Sequence, residues 1–468
     1  MTTLTPRPLF LTLLCILFLA LSTLTVQPAG AQPVSGPGDA PAAVGTSADV
    51  PGADEGSSPA ETPQQTPVSG SEVEELRRRL DILAAEVEQL RSGEAETIAL
   101  SEERRRALGL APSAAATYRR SSSGVSFAGY GEMLLENFKS TNEAGAGGAP
   151  TTRLDFLRAI LYAGYRFNDK FVFNSEIEVE HGNEIFVEFA YVDYLVNDHL
   201  SLRGGLLLVP LGLTNEFHEP NVFIGAKRTE TEQRILPSTW RENGAGALGT
   251  FGRVSFRAYV VNGLNASGFT SAGLRGGRQR GIQARAANMG FAGRLDVTPL
   301  PGIFAGIGVY NGGSGQEAVV VDNERLDVNN RIVEVHGQAQ LRGFDVRGLW
   351  ARASVGDAER LNIALKLAPT TPVAERMQGG FVQAGYNVLS QLPTTVSVMP
   401  YGRFEHVDTQ DRVPTGFTRD LSRDGKFTTL GVEIKPIPSV VVKTDYQWVR
   451  NAAGTGRNQF NVNLGYAF

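Results

Sequence analysis

The sequence predicts an all-β fold: a transmembrane antiparallel β-barrel of about 16 strands over residues 124–468. Three observations lead to this prediction. Apolar and polar residues alternate along many segments, long and short connections mostly alternate between those segments, and no second hydrophobic helix follows the N-terminal one. A soluble sheet of this size would need helices or a second layer to cover its apolar face. We therefore expect lipid to cover that face.

The alternation is clearest at the C-terminus. Large apolar residues occupy every second position there: Phe460, Val462, Leu464, Tyr466 and Phe468. In a β-strand, a period of two places all of these groups on one face and the small or polar residues on the other. The preceding segment repeats the pattern, with Val440, Val442, Tyr446 and Trp448 against Lys443, Asp445 and Gln447. A polar face on so many strands predicts a wet barrel interior.

The lengths of the connections support the same topology. Short connections are expected near 168–169, 197–199, 299–302, 343, 391–393 and 436–438, and longer ones near 139–151, 209–245, 263–278, 312–328, 355–378 and 408–424. Outer loops and periplasmic turns alternate in this way, and a periplasmic N-terminus then gives 16 strands. Two places deviate: residues 181–183 are short where a long loop is due, and residues 279–297 are interpreted as one long strand with an irregularity near Ala287.

The N-terminus predicts export. Arg7 precedes an apolar run over 9–20, and Ala29-Gly30-Ala31 provides a small-x-small cleavage site, so residues 1–31 are expected to be a signal peptide. A transmembrane anchor is the alternative, but the run is shorter than the roughly 20 residues that a spanning helix needs. The single cysteine, Cys15, lies inside this segment. The mature chain therefore has no disulfide, thiolate metal site or cysteine nucleophile.

Three further segments precede the barrel. Residues 32–70 are rich in Ala, Pro, Gly, Ser and Thr without apolar periodicity, which predicts a disordered linker. Residues 71–92 carry a heptad seam: Val73, Leu76, Leu80, Leu83, Val87 and Leu90. This seam favours a short coiled coil, and hence an oligomer, over an amphipathic helix packed on its own domain. The seam alone does not choose between dimer and trimer, and residues 93–123 are interpreted as a periplasmic connector.

The charge balance excludes a nucleic-acid partner and leaves the barrel neutral. The chain has a formal net charge of −5 and no basic footprint. Of its 44 basic and 49 acidic residues, 34 of each kind follow residue 123. Seven of the basic residues are lysines.

Two features resemble known porins. A coiled coil ahead of a 16-strand barrel that ends on Phe468 resembles trimeric Gram-negative porins, and residues 458–468 resemble the signal that the barrel-assembly machinery binds, with Phe460, Tyr466 and Phe468 as its candidate residues. Tyr191-Val192-Asp193-Tyr194, followed by the passage from Leu202 through Pro210-Leu211-Gly212, resembles the phosphate-selective porin O and P family.

The resemblance implies a homotrimer in the outer membrane of a Gram-negative bacterium, with a long loop folded into the pore. In that family, anion specificity is associated with an arginine ladder and lysine-rich electrostatics. The neutral barrel departs from this pattern, so we expect only a mild anion bias.

The candidate constriction is the loop from Val209 to Asn243, which is too long for a simple turn. It carries Lys227, Arg228, Arg234 and Arg241 among five glutamates. Folded inward, these charges would act on passing ions; in the alternative interpretation they are solvated and pair with one another.

The alternation also predicts charged residues on the lumen wall. Acidic candidates are Glu176, Glu178 and Glu180, and basic candidates are Arg203, Arg253, Arg257, Arg285, Arg294 and Arg403. Charges of opposite sign on separate walls would create a field across a pore. The plain alternative is that any water-filled barrel has a polar interior.

These observations predict a water-filled porin for small hydrophilic solutes or anions, with outer-membrane lipid around it. The five histidines show no HExxH or other close ligand spacing, so no catalytic residue, cofactor or metal site is expected. Two alternatives remain: a structural barrel that tethers the envelope through its coiled coil, and an outer-membrane hydrolase with its site on the barrel rim.

Overall fold

A computed structural model describes residues 100–119, 123–148 and 151–468. The predicted signal peptide, linker and coiled coil lie outside these ranges and stay predictions. The strands are β1 (Gly124–Phe138), β2 (Thr151–Arg166), β3 (Phe171–Glu180), β4 (Glu184–Leu195), β5 (Leu200–Leu208), β6 (Arg241–Phe251), β7 (Val254–Asn262), β8 (Met289–Leu300), β9 (Ile303–Gly313), β10 (Val320–Val321), β11 (Glu324–Arg325), β12 (Asn329–Leu341), β13 (Phe344–Val355), β14 (Arg376–Tyr386), β15 (Ser397–Arg412), β16 (Asp424–Ile437), β17 (Val440–Asn451) and β18 (Gln459–Ala467).

Sixteen of these strands form a closed antiparallel barrel, as predicted; β10 and β11 form a separate two-stranded hairpin. The barrel closes where β1 pairs with β18, with Tyr130 opposite Ala467 and Leu135 opposite Val462. Phe468 extends this seam, since its backbone exchanges hydrogen bonds of 2.8 and 2.9 Å with Gly129. Closure leaves no sheet edge without a hydrogen-bonded neighbour, which is what a membrane-spanning sheet requires.

The outside of the barrel is apolar and the inside is polar, which confirms the alternation argument. Large apolar side chains point outward on strands around the ring: Phe127, Leu161, Ile177, Val192, Leu202, Val260, Leu295, Ile307, Leu430 and Leu464. On β18, Phe460, Leu464 and Tyr466 are exposed, whereas Asn461 and Asn463 are buried inside. In water this apolar belt would be exposed to solvent, whereas the hydrocarbon core of a membrane would bury it.

Long loops lie at one end of the barrel, here called the loop end, and short turns at the other, the turn end. The turns fall at the predicted places, with an additional one at Gly252–Arg253, and the connection over 181–183 is short as expected. The prediction of one long strand over 279–297 is wrong, because β8 begins only at Met289. Arg280, Gly281 and Gln283 have positive φ angles, which a β-strand does not accommodate.

The described part of the segment interpreted as a periplasmic connector lies within the barrel. It consists of helix α1 (Glu102–Ala107), for which Ser101 is the N-cap, and a 3-10 helix (Ala114–Arg119). The Asn174 side chain donates to the carbonyl of Ala114 at 2.8 Å, and the Tyr118 hydroxyl donates to Asp193 at 2.6 Å. Both partners are lumen-facing residues near the turn end, so this segment fills part of the lumen there.

Two other short helices belong to loops: α2 (Glu230–Arg234) and α3 (Ala358–Ala364). Within the described ranges, no helix combines the length and apolar character that a membrane-spanning helix needs.

Candidate functional site: the lumen and its constriction

The loop between β5 and β6, residues 209–240, enters the lumen through a fixed turn. Gly212 has a φ of +76°, and a Cβ added there would lie 2.6 Å from the Glu232 carboxylate, so the turn requires glycine. Asn215 ties the two ends of the loop together: its amide donates to the carbonyls of Val209 and Trp240, at 2.7 and 2.9 Å, and accepts from the Trp240 backbone N–H at 2.7 Å. The loop is therefore closed on itself at its base.

The loop also has internal order. Glu232 accepts hydrogen bonds from the backbone N–H groups of Leu213 and Thr214, both at 2.7 Å. Thr229 is the N-cap of α2, and its side chain accepts from the Glu232 backbone N–H. With its backbone groups held in this way, the loop has a defined path rather than the freedom of an exposed connection.

Contacts with distant strands show that the loop crosses the lumen. Lys443 of β17 donates to the carbonyl of Phe223 at 2.7 Å, and Asp445 of β17 accepts from the Ala226 N–H at 2.8 Å. Glu405 of β15 accepts from the Thr231 N–H at 3.1 Å. Strand β17 lies six positions around the ring from β5 by the shorter way. These contacts confirm that the loop predicted to fold inward does so.

Beside the loop lies a cavity of about 790 Å³, here called the lumen cavity. Its lining comes from β1, β2, β3, the β3–β4 connection, the β5–β6 loop and the β7–β8 loop: Glu132, Leu134, Glu136, Thr152, Arg153, Leu154, Asp155, Leu157, Arg158, Glu180, His181, Phe223, Ala226, Lys227, Arg228, Gln233, Ser238, Thr239 and Arg275. Charged side chains of both signs thus surround the space left between the loop and the wall.

Several of these charges are paired across the cavity wall. Lys227 lies 2.7 Å from Glu136, which joins the loop to β1. Arg158 lies 2.9 Å from Glu132 and 3.0 Å from Glu178, so it links β1, β2 and β3. Paired charges of this kind hold the walls of the cavity more than they bias its potential.

Two arginines of the cavity form no ion pair among the described residues. Arg228 donates to two neutral oxygens, those of Thr239 and His218. Glu132 and Glu180 act on Arg228 and Arg275, respectively, from farther than ion-pair distance. Burial and the neighbouring Arg228 and Arg280 lower the pKa of Arg275 to about 10. Arg275 therefore stays charged at pH 7. With Arg228, it places positive charge on the loop side of the lumen cavity.

A third arginine, Arg278, lies close to Arg275 in the β7–β8 loop. Arg278 donates to the carbonyls of Pro237 and Thr239, which ties the β7–β8 loop to the β5–β6 loop. Burial and the adjacent Arg275 lower its pKa to about 9. Arg275 and Arg278 escaped prediction because they lie in a glycine-rich segment whose sequence does not reveal that it packs against the β5–β6 loop.

Of the four charged residues predicted to act at the constriction, Lys227 and Arg228 line the lumen cavity, and Arg234 and Arg241 do not. Arg234 pairs with Glu230 and lies over the Phe427 ring. Arg241 is the first residue of β6 rather than a loop residue, and it lies 3.4 Å from Glu188. Arg234 therefore packs the loop against β16, and Arg241 holds the base of the loop against β4.

Four of the predicted lumen-wall residues belong to buried networks. Arg203 makes two hydrogen bonds to Asp193, and Arg257 contacts Asp296 and Glu216. Glu178 pairs with Arg158, and Glu176 accepts from the Tyr130 hydroxyl at 3.2 Å.

The other predicted wall residues divide in the same way. Arg294 and Arg403 face the lumen, beside Asp296 and Glu405 respectively. The assignment of Arg253 and Arg285 to the wall is wrong, because they lie in the β6–β7 turn and the β7–β8 loop.

The N-terminal segment, residues 100–119, contacts the β5–β6 loop, here called the constriction loop, inside the barrel. Glu219 accepts from the backbone N–H of Ser113 at 2.8 Å and from its hydroxyl at 3.2 Å. Burial raises the pKa of Glu219 to about 7, against the opposing effect of those hydrogen bonds. The lumen is thus narrowed by two segments that are 106 residues apart in sequence and contact each other.

A histidine and two carboxylates converge where the loop touches β3 and β4. His218 Nε2 lies 3.2 Å from Glu176 Oε1 and 4.0 Å from Glu188 Oε2. Glu188 faces inward beside Phe189 because a β-bulge interrupts the pairing, which passes from Glu176 opposite Phe189 to Ile177 opposite Val187. Strict alternation does not predict such a position, and the spacing of the five histidines in the sequence predicts no metal site.

A closed barrel with an apolar exterior, a charged interior and an inward-folded loop is the architecture of a transmembrane β-barrel of the outer-membrane type. No protein-family model matches the chain. It is 36% identical over 354 residues to an uncharacterized protein of Aquifex aeolicus (strain VF5), covering 72% of this chain and 78% of that one. The chain belongs to the same family as this relative.

Solved structures of outer-membrane proteins also match in part. They include OmpTdeltaL8, a loop-deletion mutant of OmpT of Vibrio cholerae, with 14% identity, a TM-score of 0.48 and coverage of 74% of this chain and 100% of that one. OmpF of Salmonella typhi in complex with daunomycin matches with 12% identity, a TM-score of 0.49 and coverage of 74% of this chain and 98% of that one. The outer membrane channel DcaP of Acinetobacter baumannii matches with 11% identity, a TM-score of 0.47 and coverage of 74% of this chain and 98% of that one. A shared activity does not follow from identities this low.

Proposed function

We propose that the protein is an outer-membrane porin of a Gram-negative bacterium, a water-filled diffusion channel for small hydrophilic solutes and ions. The observation that carries this proposal is the path of the β5–β6 loop, which crosses the lumen and leaves the charged lumen cavity beside it. A loop held in this place restricts the bore and sets the charges that a solute meets. The predicted homotrimer and the recognition of Phe468 by the barrel-assembly machinery are parts of the same proposal.

The charge distribution supports a mild preference for small anions. Lys227 forms an ion pair with Glu136, whereas Arg228 and Arg275 line the cavity with no carboxylate oxygen within 4 Å among the described residues. A guanidinium group stays charged at neutral pH and pairs transiently with carboxylate or phosphate. Asp155 and Glu180 also line the cavity and cancel part of this field. A general channel is therefore favoured over a tight phosphate site.

A charge reversal in planar bilayers tests the proposal. The purified full chain should produce stepwise ionic conductance, with a reversal potential in a salt gradient that indicates weak anion preference. Changing Arg228→Glu and Arg275→Glu together should move that potential toward cation preference, most at low ionic strength, where screening is least. The control is Arg253→Glu with Arg285→Glu, an equal change of charge on exposed residues outside the cavity.

Each outcome distinguishes the proposal from its alternatives. An unchanged reversal potential in the cavity variant would refute the selectivity but leave the channel intact. A barrel that folds and inserts but never conducts would favour the structural tether. Hydrolysis of added lipid or peptide by the purified protein would favour an outer-membrane hydrolase.

A further inference from the structure

The cluster of His218, Glu176 and Glu188 has the composition of a metal site. One ligand atom from each residue lies within 4.8 Å of the others. The two glutamate side chains are fully buried and the histidine is 2% exposed. The three residues come from β3, β4 and the β5–β6 loop, so any ion held there would join the loop to the wall.

The tautomer of His218 is set by its backbone partner. Its Nδ1 lies 2.9 Å from the carbonyl oxygen of Asn215, which can only accept, so Nδ1 carries a proton. In the neutral ring, Nε2 therefore presents a lone pair toward the two carboxylates. A metal-binding histidine commonly has its other ring nitrogen fixed by such a hydrogen bond to a carbonyl.

The carboxylates have acceptor capacity that no donor fills. The Oε2 atoms of Glu176 and Glu188 are buried and have no hydrogen-bond partner among the described residues. A buried carboxylate oxygen without a donor is costly in a medium of low dielectric constant. Both oxygens belong to side chains that converge on His218 Nε2, and a cation at the point of convergence would satisfy them.

The local charge favours a bound cation. Among the described residues, Glu176 has no lysine or arginine nitrogen within 4 Å, and its ion-pair neighbour is His218. Glu188 lies 3.4 Å from Arg241 and 4.0 Å from His218. When the imidazole is neutral, the buried carboxylate of Glu176 has no cation beside it, and a metal ion bound between the three side chains would supply one.

We propose that Glu176, Glu188 and His218 bind a divalent transition-metal ion of the zinc class. Zinc takes nitrogen and carboxylate oxygen at about 2.0–2.2 Å, which places neighbouring ligand atoms of a tetrahedral site about 3.3 Å apart. The distance from His218 Nε2 to Glu176 is 3.2 Å, and the 4.0 Å distance to Glu188 needs a shift of less than about 1 Å. The ion fastens the constriction loop to β3 and β4, and this role does not require the protein to be a channel.

The metal content of the intact protein tests the proposal. The full chain, purified in detergent without a histidine tag, is incubated with Zn²⁺, dialysed against metal-free buffer and analysed by elemental mass spectrometry. One zinc ion per chain is expected in the wild type. His218→Gln and Glu188→Gln should each lower retention at least tenfold.

His336→Gln is the matched control. His336 is also buried beside two carboxylates, but both of its nitrogens are already within 2.8 Å of a carboxylate oxygen, from Glu334 and Asp296. This variant should retain the zinc ion. Wild-type protein without bound zinc, or loss of zinc from the control as complete as from His218→Gln, would overturn the proposal.

A second readout does not depend on the folding of variants. Wild-type protein loaded with Co²⁺ in place of Zn²⁺ should develop visible absorption bands of a low-symmetry nitrogen–oxygen site, and these bands should disappear when Zn²⁺ is added. Co²⁺ that gives only the spectrum of the hydrated ion would show that the cluster is an imidazolium paired with carboxylates.

Discussion

Replacement of Arg257 should release both segments that narrow the lumen. Its guanidinium group lies 2.7 Å from Asp296 on the wall and 2.9 Å from Glu216 of the constriction loop, and it donates to the carbonyl of Arg106 at 2.9 Å. The side chain is fully buried. Arg257→Met keeps most of the length and removes the charge, so a single change separates the wall, the loop and the N-terminal segment.

The magnitude follows from the partners that remain. Asp296 keeps an ion pair with Arg294 at 2.7 Å and a contact with His336 at 2.8 Å, so it stays compensated. Glu216 loses its ion-pair partner while buried. Removing one member of a buried ion pair costs about 3–5 kcal/mol. Because one carboxylate rather than two is left without a partner, we expect the free energy of unfolding to fall by about 3 kcal/mol, the lower end of that range.

Equilibrium unfolding in urea measures this change. The folded fraction is followed by heat-modifiable electrophoretic migration, and by fluorescence of Trp240, which is fully buried at the base of the loop. The control is Arg325→Met: Arg325 lies 2.8 Å from Glu317, but both side chains are exposed, so a loss below about 1 kcal/mol is expected. If the two variants lose equal stability, the reasoning about the buried network is refuted.

Three further predictions concern assembly and the N-terminal segments. Deleting Phe468 removes two backbone hydrogen bonds to Gly129, which contribute only about 0.5–1.5 kcal/mol each. A large loss of folded barrel in cells, measured by quantitative blotting, would therefore show failed recognition by the assembly machinery. Normal amounts of folded barrel would contradict that role of Phe468. Changing Leu76→Gln and Leu83→Gln should abolish helical signal from the coiled coil in circular dichroism and leave the barrel folded; native mass spectrometry that finds only wild-type monomers would exclude the trimer. Deleting residues 100–119 should raise single-channel conductance, because that segment fills part of the lumen, and an unchanged conductance would place the limiting constriction elsewhere.

The barrel was predictable because its signal is local and repeated. Each strand must turn an apolar side outward and a polar side inward, so the period of two over residues 459–468 shows directly in the sequence. The loop ends were also readable, since Pro210 and Gly212 interrupt the strand pattern. The inward path of the loop was expected from its length and from the family resemblance, and the anchors to Lys443 and Asp445 confirm it.

The site itself depended on contacts that no local pattern contains. Glu188 faces the lumen only because a bulge shifts the pairing of β3 and β4. Arg275 reaches the cavity because one loop folds over another, and Ser113 meets Glu219 across 106 residues of sequence. Alternation shows which residues face inward on regular strands. It does not show which of those inward-facing charges are buried in networks and which line open space, as Arg203 and Glu180 illustrate.

Thiol modification of the constriction tests the central claim most directly. The predicted mature chain has no cysteine, so Arg228→Cys would carry the only thiol in the lumen cavity. Single channels of this variant are recorded in a planar bilayer while a negatively charged methanethiosulfonate reagent is added. We expect stepwise conductance that changes when the thiol is modified, and a reversal potential that moves toward cation preference. Stable insertion without conductance, or a conductance that complete modification of the thiol leaves unaltered, would contradict a channel that passes this loop.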